Sequence, residues 1–154
     1  MNHSELAQLD VIDADRVPQL MELFAGQWWT AGRSPDAVRR MLASSDIVIG
    51  LRRRDNDQLV AFARILTDFT YLAVVLDVIV APAMRGRGVG ALLMQAVLAH
   101  PGLADVASLE LVCQPELQGF YHRWGFTEQV GASRLMRRTS DHRLLGGESP
   151  GTAQ

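Results

Sequence analysis

Hydrophobic and polar positions follow two rhythms along this chain. "ELAQLDVI" alternates weakly with a period of two, which predicts a first strand. Asp15 precedes "RVPQLMELFAGQ" and reads as the cap of a helix over that stretch. "SPDAVRRMLASS" carries a strong helix-start signal, with Ser34 as N-cap and Pro35 at the first helical position. "DIVIGLRRR" and "QLVAFARIL" read as strands on either side of an "RDND" turn, which makes a hairpin. "YLAVVLDVIV" is a near-continuous apolar run, the pattern of a central strand covered on both faces.

Further along, Val89, Leu92, Leu93, Ala96 and Val97 recur at helical spacing until "HPG" ends the run. "SLELVC" reads as another strand, and "ELQGFYHRW" as a short helix stopped by Gly125. Phe126 opens a last pair of strands, with "ASRLMRR" the final one. The predicted order is β-α-α-β-β-β-α-β-α-β-β, an α/β sheet of mixed direction without internal repeats. From about Ser140, "SDHRLLGGESPGTAQ" is polar and glycine-rich. It reads as a flexible tail, leaving residues 1–139 as one domain.

Composition acts mainly by exclusion. The 154 residues suit one domain, and 48% hydrophobic content is enough for a core. A net charge of -2 predicts no bulk attraction to nucleic acid or to an anionic membrane. All 15 basic residues are arginine, so any mechanism that needs lysine is excluded. Cys113 is the only cysteine, which rules out an intrachain disulfide and a cysteine-based zinc site. His3, His100, His122 and His142 lack metal-ligand spacing, so no metal is expected. The start lacks a secretory pattern, and the longest apolar run, Tyr71 to Ala83, is interrupted by Asp77 and is too short for a bilayer. These features predict a cytoplasmic protein.

The most informative stretch is "VIVAPAMRGRGVGALLMQ", where a strand passes through a glycine-rich loop into a helix. The first N–H groups of a helix lack internal partners and carry the positive end of its dipole. Glycines let the backbone approach a bulky phosphate, and Arg85 and Arg87 add charge at the rim. A diphosphate suits this arrangement. A P-loop is excluded because no lysine begins the helix. Gly86, Gly88 and Ala91 satisfy a dinucleotide G-x-G-x-x-G/A spacing, but "APAM" and Arg85 separate them from the strand, and Glu110 falls inside a predicted strand. A glycine-rich turn without a ligand is the bland alternative.

In the register Arg85-x-x-Gly88-x-Gly90, the loop resembles the acetyl-CoA-binding motif of the GCN5-related N-acetyltransferase (GNAT) family, Q/R-x-x-G-x-G/A. "GFYHRWGF", Gly119 to Phe126, resembles that family's later segment, where a Phe-Tyr pair precedes Gly-Phe. The resemblance covers roughly residues 5 to 138 in architecture and 76 to 126 in motifs. Gln114 stands where the family often has an asparagine that touches the cofactor, Leu117 replaces a small alanine, and Pro115 follows the strand directly.

The resemblance implies a central sheet of about seven strands, splayed open between the strands ending at Val80 and Cys113, with helices on both faces. Acetyl-CoA would wedge into the gap. Main-chain groups around Val78, Ile79 and Val80 would meet the pantetheine as an added strand does. Arg85, Gly86, Arg87, Gly88, Val89, Gly90 and Ala91 would hold the diphosphate, with Gln114 at the channel edge. The implied activity is transfer of an acetyl group to a primary amine, on a small molecule or a peptide, by direct attack in a ternary complex. A homodimer is compatible with the resemblance. The alternatives are an acyl-CoA-binding sensor without catalysis and a dinucleotide-binding protein.

Such a transfer needs a base, an oxyanion donor, an acid for the leaving thiolate, and exclusion of water. Tyr121 matches the family's tyrosine and is the candidate acid, since a phenol near ~10 lies close to a thiol at about 8.5. The competing role is packing, as for Phe120 and Trp124 one turn apart. Asp77, the only charge in its strand, is either a base facing the acceptor or the ion-pair partner of a nearby arginine such as Arg64. A backbone N–H near Val78 is the candidate oxyanion donor. Trp28, Trp29, Arg64 and Asp68 are candidate acceptor contacts, each with a packing or ion-pair alternative. Cys113 reads as a small buried hydrophobe, and "RRR" at Arg52 to Arg54 as a solvated hairpin end.

Overall fold

The structure is a computed structural model that describes residues 4–146. His3 and the end of the expected tail, residues 147–154, lie outside the described residues.

Five strands form one sheet in the order β1 (Leu6–Leu9), β2 (Ile47–Arg53), β3 (Leu59–Thr67), β4 (Leu72–Val80) and β5 (Ser108–Glu110). The first four pair antiparallel and β5 joins β4 in parallel, so the sheet is mixed, as the element order predicts. The hairpin between β2 and β3 forms at the expected turn. Helices cover both faces. On one face, α3 (Val89–Leu98) buries Val89, Leu93 and Val97 against Ile47, Ile49, Ala63, Ile65 and Val75. On the other, α1 (Val17–Ala25) and α2 (Pro35–Ser44) bury Leu20, Phe24 and Val38 against Leu59, Phe62 and Ile79. Phe24 meets Phe62 edge to face, with ring centroids 5.7 Å apart.

Local signals explain most helix ends. Ser34 Oγ accepts the Ala37 N–H at 3.2 Å, with Pro35 behind it. At α1 the cap is Asp13 rather than Asp15. Its carboxylate accepts the Arg16 N–H at 3.1 Å and starts a 3-10 turn over Ala14–Arg16 that leads into the helix. Asp15 lies inside that turn, beyond the capping position.

The last two expected strands are absent. After α4 (Gln118–His122) the described chain has no strand, and Val130, Leu135 and Met136 are 57%, 69% and 92% exposed. An alternating pattern makes a strand only where a neighbour pairs it and a core covers one face, and this segment has neither. The sheet therefore has five strands rather than about seven. The expected tail also differs in its described part. A 3-10 turn over His142–Leu144 docks on the loop between α1 and α2. Arg143 Nη1 donates to the carbonyls of Trp28 and Ala31 at 2.7 and 2.8 Å.

Candidate active site

Strand β4 carries the site, and its pairing on each side explains why. Its parallel ladder with β5 runs only from Leu72↔Ser108 to Val74↔Glu110. Beyond Val74 the two strands part, so the expected strand "SLELVC" stops at Glu110. On the other side β4 stays paired with β3 as far as Val80. The Ala81 N–H donates to the Val60 carbonyl at 2.8 Å, and Ile79 is registered with Phe62. Main-chain groups alternate sides along a strand, so those of Val78 and Val80 face the gap. Ile79 is not a gap residue, in contrast to the sequence expectation. Its main chain turns to β3, and its side chain is 3% exposed in the α1/α2 core.

A bulge at Asp77 sets the side-chain arrangement. Asp77 has φ 53°, and the register with β3 shifts by one residue between Arg64↔Leu76 and Phe62↔Ile79. The extra residue reverses the alternation. Ala73 and Val75 belong to the core under α3, and beyond the bulge Val78 and Val80 pack on that same core. Ile79 lies in the opposite core, and Asp77 turns toward the same side.

The strand then enters the glycine loop. Met84 anchors the loop in the α3 core, while residues 85–88 are exposed. Gly86 and Gly88 have φ 72° and 78°, the left-handed region where only glycine is unstrained. Gly88 is the N-cap of α3, and its carbonyl accepts the Leu92 N–H at 3.1 Å. The N–H groups of Gly88, Val89 and Gly90 precede that bond and have no acceptor within the helix. A Cβ built on Gly86 or Gly88 meets nothing within 4 Å, so both backbones lie open. Arg85 Nε donates to the Val80 carbonyl at 3.3 Å, which ties the loop back to the end of β4.

Asp77 is 8% exposed and held by two arginines. Arg33 grips it with both terminal nitrogens, at 2.7 and 3.1 Å, and Arg64 donates through Nε at 2.7 Å. The Arg33 guanidinium also sits 4.7 Å from the centroid of Phe24. Burial pushes the Asp77 carboxyl up, but the hydrogen bonds and charges of Arg33 and Arg64 outweigh it and hold the group below the usual carboxylate range. Of the two roles open in the sequence, the geometry supplies the ion pair. A carboxylate held this way is a poor proton acceptor near neutral pH.

Helix α4 approaches the loop from the β5 side. A Cβ on Gly90 would lie 3.5 Å from Phe120 and 3.8 Å from Val80, so Phe120 packs where the loop, β4 and α4 meet. Tyr121 projects about 100° further around the helix, yet its ring stays edge to face with Phe120 at 5.0 Å between centroids, and with Phe126 at 5.9 Å. It is 7% exposed and lines a cavity of about 270 Å³ with Leu111, Cys113, Gln118, His122 and Glu128. Burial, with a smaller contribution from Cys113, pushes its phenol up to about 12. The phenol is therefore a weaker acid than the reference value near ~10 suggests.

A model of the acetyltransferase (GNAT) domain matches residues 47–128, from β2 through α4. The chain belongs to the GNAT family. A crystal structure from Xanthomonas campestris pv. campestris, described as belonging to the GNAT family, is 30% identical, with a TM-score of 0.75 over 90% of this chain and 94% of that one. Among curated proteins, an uncharacterized N-acetyltransferase of Pyropia yezoensis is 31% identical over 91 residues, 58% of this chain and 52% of its own length. The chloroplastic serotonin N-acetyltransferase 2 of Oryza sativa subsp. japonica is 33% identical over 106 residues, 68% of this chain and 53% of its own. The chain spans about half the length of the curated relatives it matches.

Within this GNAT domain the remaining sequence candidates land in different places. Arg64 joins Asp77 beside the gap. Asp68 does not. It sits at the other end of β4, where its Oδ1 accepts the N–H groups of Thr70, Tyr71 and Leu72 at 2.9, 2.7 and 3.1 Å. Those bonds shape the β3–β4 turn and hold the Asp68 carboxyl below its ordinary value. Trp29 packs on the α1/α2 core, and the Trp28 carbonyl accepts from Arg143. Gln114 precedes the 3-10 turn over Pro115–Leu117 that leads into α4, and its main-chain carbonyl accepts the Leu117 N–H at 2.9 Å. Arg33 and Arg143 were not singled out in the sequence. The lone buried carboxylate in "YLAVVLDVIV" signals that some arginine must reach it, but not which of the 15.

Gly90 separates packing from conformation among the loop glycines. Its backbone lies outside the left-handed region, and a Cβ there makes ordinary contacts at 3.5 Å or more. Gly90→Ala is expected to fold with a melting temperature no lower than wild type, because alanine is the better helix former. A clear drop in thermal unfolding would show the Phe120 contact to be tighter than drawn.

Proposed function

We propose that the protein transfers an acetyl group from acetyl-CoA to a primary amine, by direct attack in a ternary complex. The observation that carries this reading is the parting of β4 from β5 after Val74, next to a loop whose Gly86 and Gly88 backbones are open. The residues present suit an acyl-CoA. Val78 and Val80 offer main-chain groups to an extended amide chain, as a sheet edge does. Gly86, Gly88, Val89, Gly90 and Ala91 form the turn and helix start that suit a diphosphate, with exposed Arg85 and Arg87 at the rim. Bound there, acetyl-CoA supplies an acyl group already activated as a thioester.

With Asp77 held in ion pairs, the acceptor would enter as the free amine, and the proton lost as the amide forms would pass through solvent to the released thiol. The chain's own groups supply the remaining help. The N–H of Val78, just beyond the bulge, faces the gap and is placed to stabilise charge on a carbonyl oxygen. Tyr121, still protonated well above neutral pH, holds its proton for hydrogen bonding to the departing sulfur. With a phenol near 12 it acts by donating a hydrogen bond rather than by completing proton transfer to a thiolate of lower pKa. Asp77 positions Arg33 and Arg64 at the acceptor side of β4. The α1 and α3 cores close the two faces of the sheet against water.

Release of free thiol from acetyl-CoA across a panel of amines tests the reading. Turnover with any amine class supports it, and tight binding of acetyl-CoA without turnover on any of them would favour a sensor. Tyr121→Phe is expected to lower kcat by a factor on the order of 100 while acetyl-CoA affinity by calorimetry changes less than about threefold. Parallel loss of both would assign Tyr121 to packing. In wild type, kcat/KM, which reports the free enzyme, should show no alkaline decline from this phenol until pH approaches 12.

A further inference from the structure

We infer that Arg64, set by Asp77 beside Arg33, forms an anion subsite, and that the preferred acceptor is an amine that also carries a carboxylate. The inference rests on the acetyl-transfer reading and narrows its substrate class.

Hydrogen-bond accounting at the cluster is the starting point. Asp77 takes both terminal nitrogens of Arg33 but only Nε of Arg64. Among the described residues, the two Nη groups of Arg64 have no acceptor, and neither is sealed from solvent. An arginine pinned through Nε presents its Nη edge in a fixed orientation. That edge is planar and offers parallel N–H donors, which match the two oxygens of a carboxylate. The side chain is only 16% exposed, so its rotamer freedom is already largely lost before a ligand arrives.

Charge points the same way. Two guanidinium groups face one carboxylate, which leaves a surplus positive charge beside the bulge. Glu110 on β5 shares this face through the register Leu66↔Val74↔Glu110, but it forms no ion pair with Arg64. An amine that is only cationic in solution would approach against the surplus. One bringing its own carboxylate would cancel it and satisfy the open donors.

Position connects the cluster to the reaction. Arg64 lies on β3, registered with Leu76, and its partner Asp77 is the residue before Val78. A carboxylate on Arg64 would thus be bound next to the point where β4 turns its main chain to the gap. The surrounding face is half apolar, formed by Val48, Leu76 and Val74, and can accept a short hydrocarbon spacer between amine and carboxylate.

The test uses matched pairs of amines with the 154-residue chain and acetyl-CoA. β-Alanine is compared with ethylamine, 4-aminobutyrate with propylamine, phenylalanine with phenethylamine, and phosphoethanolamine with ethanolamine. In at least one carboxylate pair, the acid is expected to exceed its partner in kcat/KM by a factor on the order of 10 or more. Arg64→Gln should bring that ratio close to one, through KM for the carboxylated amine, with KM for acetyl-CoA changed less than about twofold. Arg64→Lys should recover only part of the ratio, since an ammonium lacks the planar edge. Turnover with no preference for any acid, preference confined to the phosphate pair, or equal loss on both members in Arg64→Gln would each overturn the carboxylate subsite while leaving acetyl transfer standing. Absence of thiol release with every amine would instead remove the transfer reading and this inference with it.

Discussion

Gly88→Leu is expected to abolish acetyl-CoA binding while the domain still folds. Gly88 has φ 78°, and leucine in that left-handed region costs roughly 1–2 kcal/mol. The loop can relieve that cost only by rotating the Gly88 peptide, which re-aims the N–H groups that start α3. If it does not rotate, the new side chain extends into the open space over the same N–H groups, because nothing lies within 4 Å of a Cβ there. Either route denies a diphosphate its close approach to the main chain. Calorimetric affinity for acetyl-CoA should fall at least about 100-fold, or roughly 2.7 kcal/mol. Gly88→Asn should retain more affinity than leucine, since asparagine tolerates left-handed angles. Normal binding by the leucine variant would mean that the loop's backbone is not the phosphate site.

Asp77→Ala is expected to be the most destabilising single truncation at the site. It leaves Arg33 and Arg64, with side chains 28% and 16% exposed, facing each other without a counter-charge. Removing one partner of a buried pair typically costs about 3–5 kcal/mol, because the remaining charge stays desolvated. Because the Arg64 Nη groups meet solvent, urea unfolding at neutral pH should show a loss toward the lower end of that range, and a loss under about 1 kcal/mol would mean that solvent compensates both arginines. The pH dependence follows from the lowered carboxyl. A group whose folded pKa lies below its unfolded value of about 3.9 contributes stability that is complete above that value. The contribution disappears as pH falls through the folded value. The gap in stability between wild type and Asp77→Asn should thus be full at pH 7 and should narrow as the pH falls below about 4. A gap independent of pH would place the effect in packing rather than charge.

The two substitutions also separate roles that share one strand. Gly88 lies past the end of β4, where the main chain is open, and Asp77 lies at the bulge, where the strand reverses its faces. The first should remove donor binding with little loss of stability. The second should lower stability first and acceptor affinity through Arg64. A stable Asp77 variant with intact acceptor preference would uncouple the cluster from the site.

Signals that act over a few residues were legible in the chain by itself. Ser34 and Pro35 start α2, the "RDND" turn closes the β2–β3 hairpin, and Gly86 and Gly88 take the left-handed angles that a tight strand-to-helix loop requires. The two motifs that resemble the GNAT family are also local, which is why the family could be read before any geometry. What the chain alone left open depends on partners far away in sequence. Asp77 could be a base or an ion-pair member until Arg33, 44 residues distant, closed on it. Its bulge is invisible in "YLAVVLDVIV", because a bulge exists only relative to the register of β3. "ASRLMRR" has the alternation of a strand, but alternation does not supply the neighbour or the covering face. Side-chain pattern determines which local conformations are cheap. Burial, charge pairing and strand register are decided only when distant segments meet, since each is a property of two surfaces rather than one.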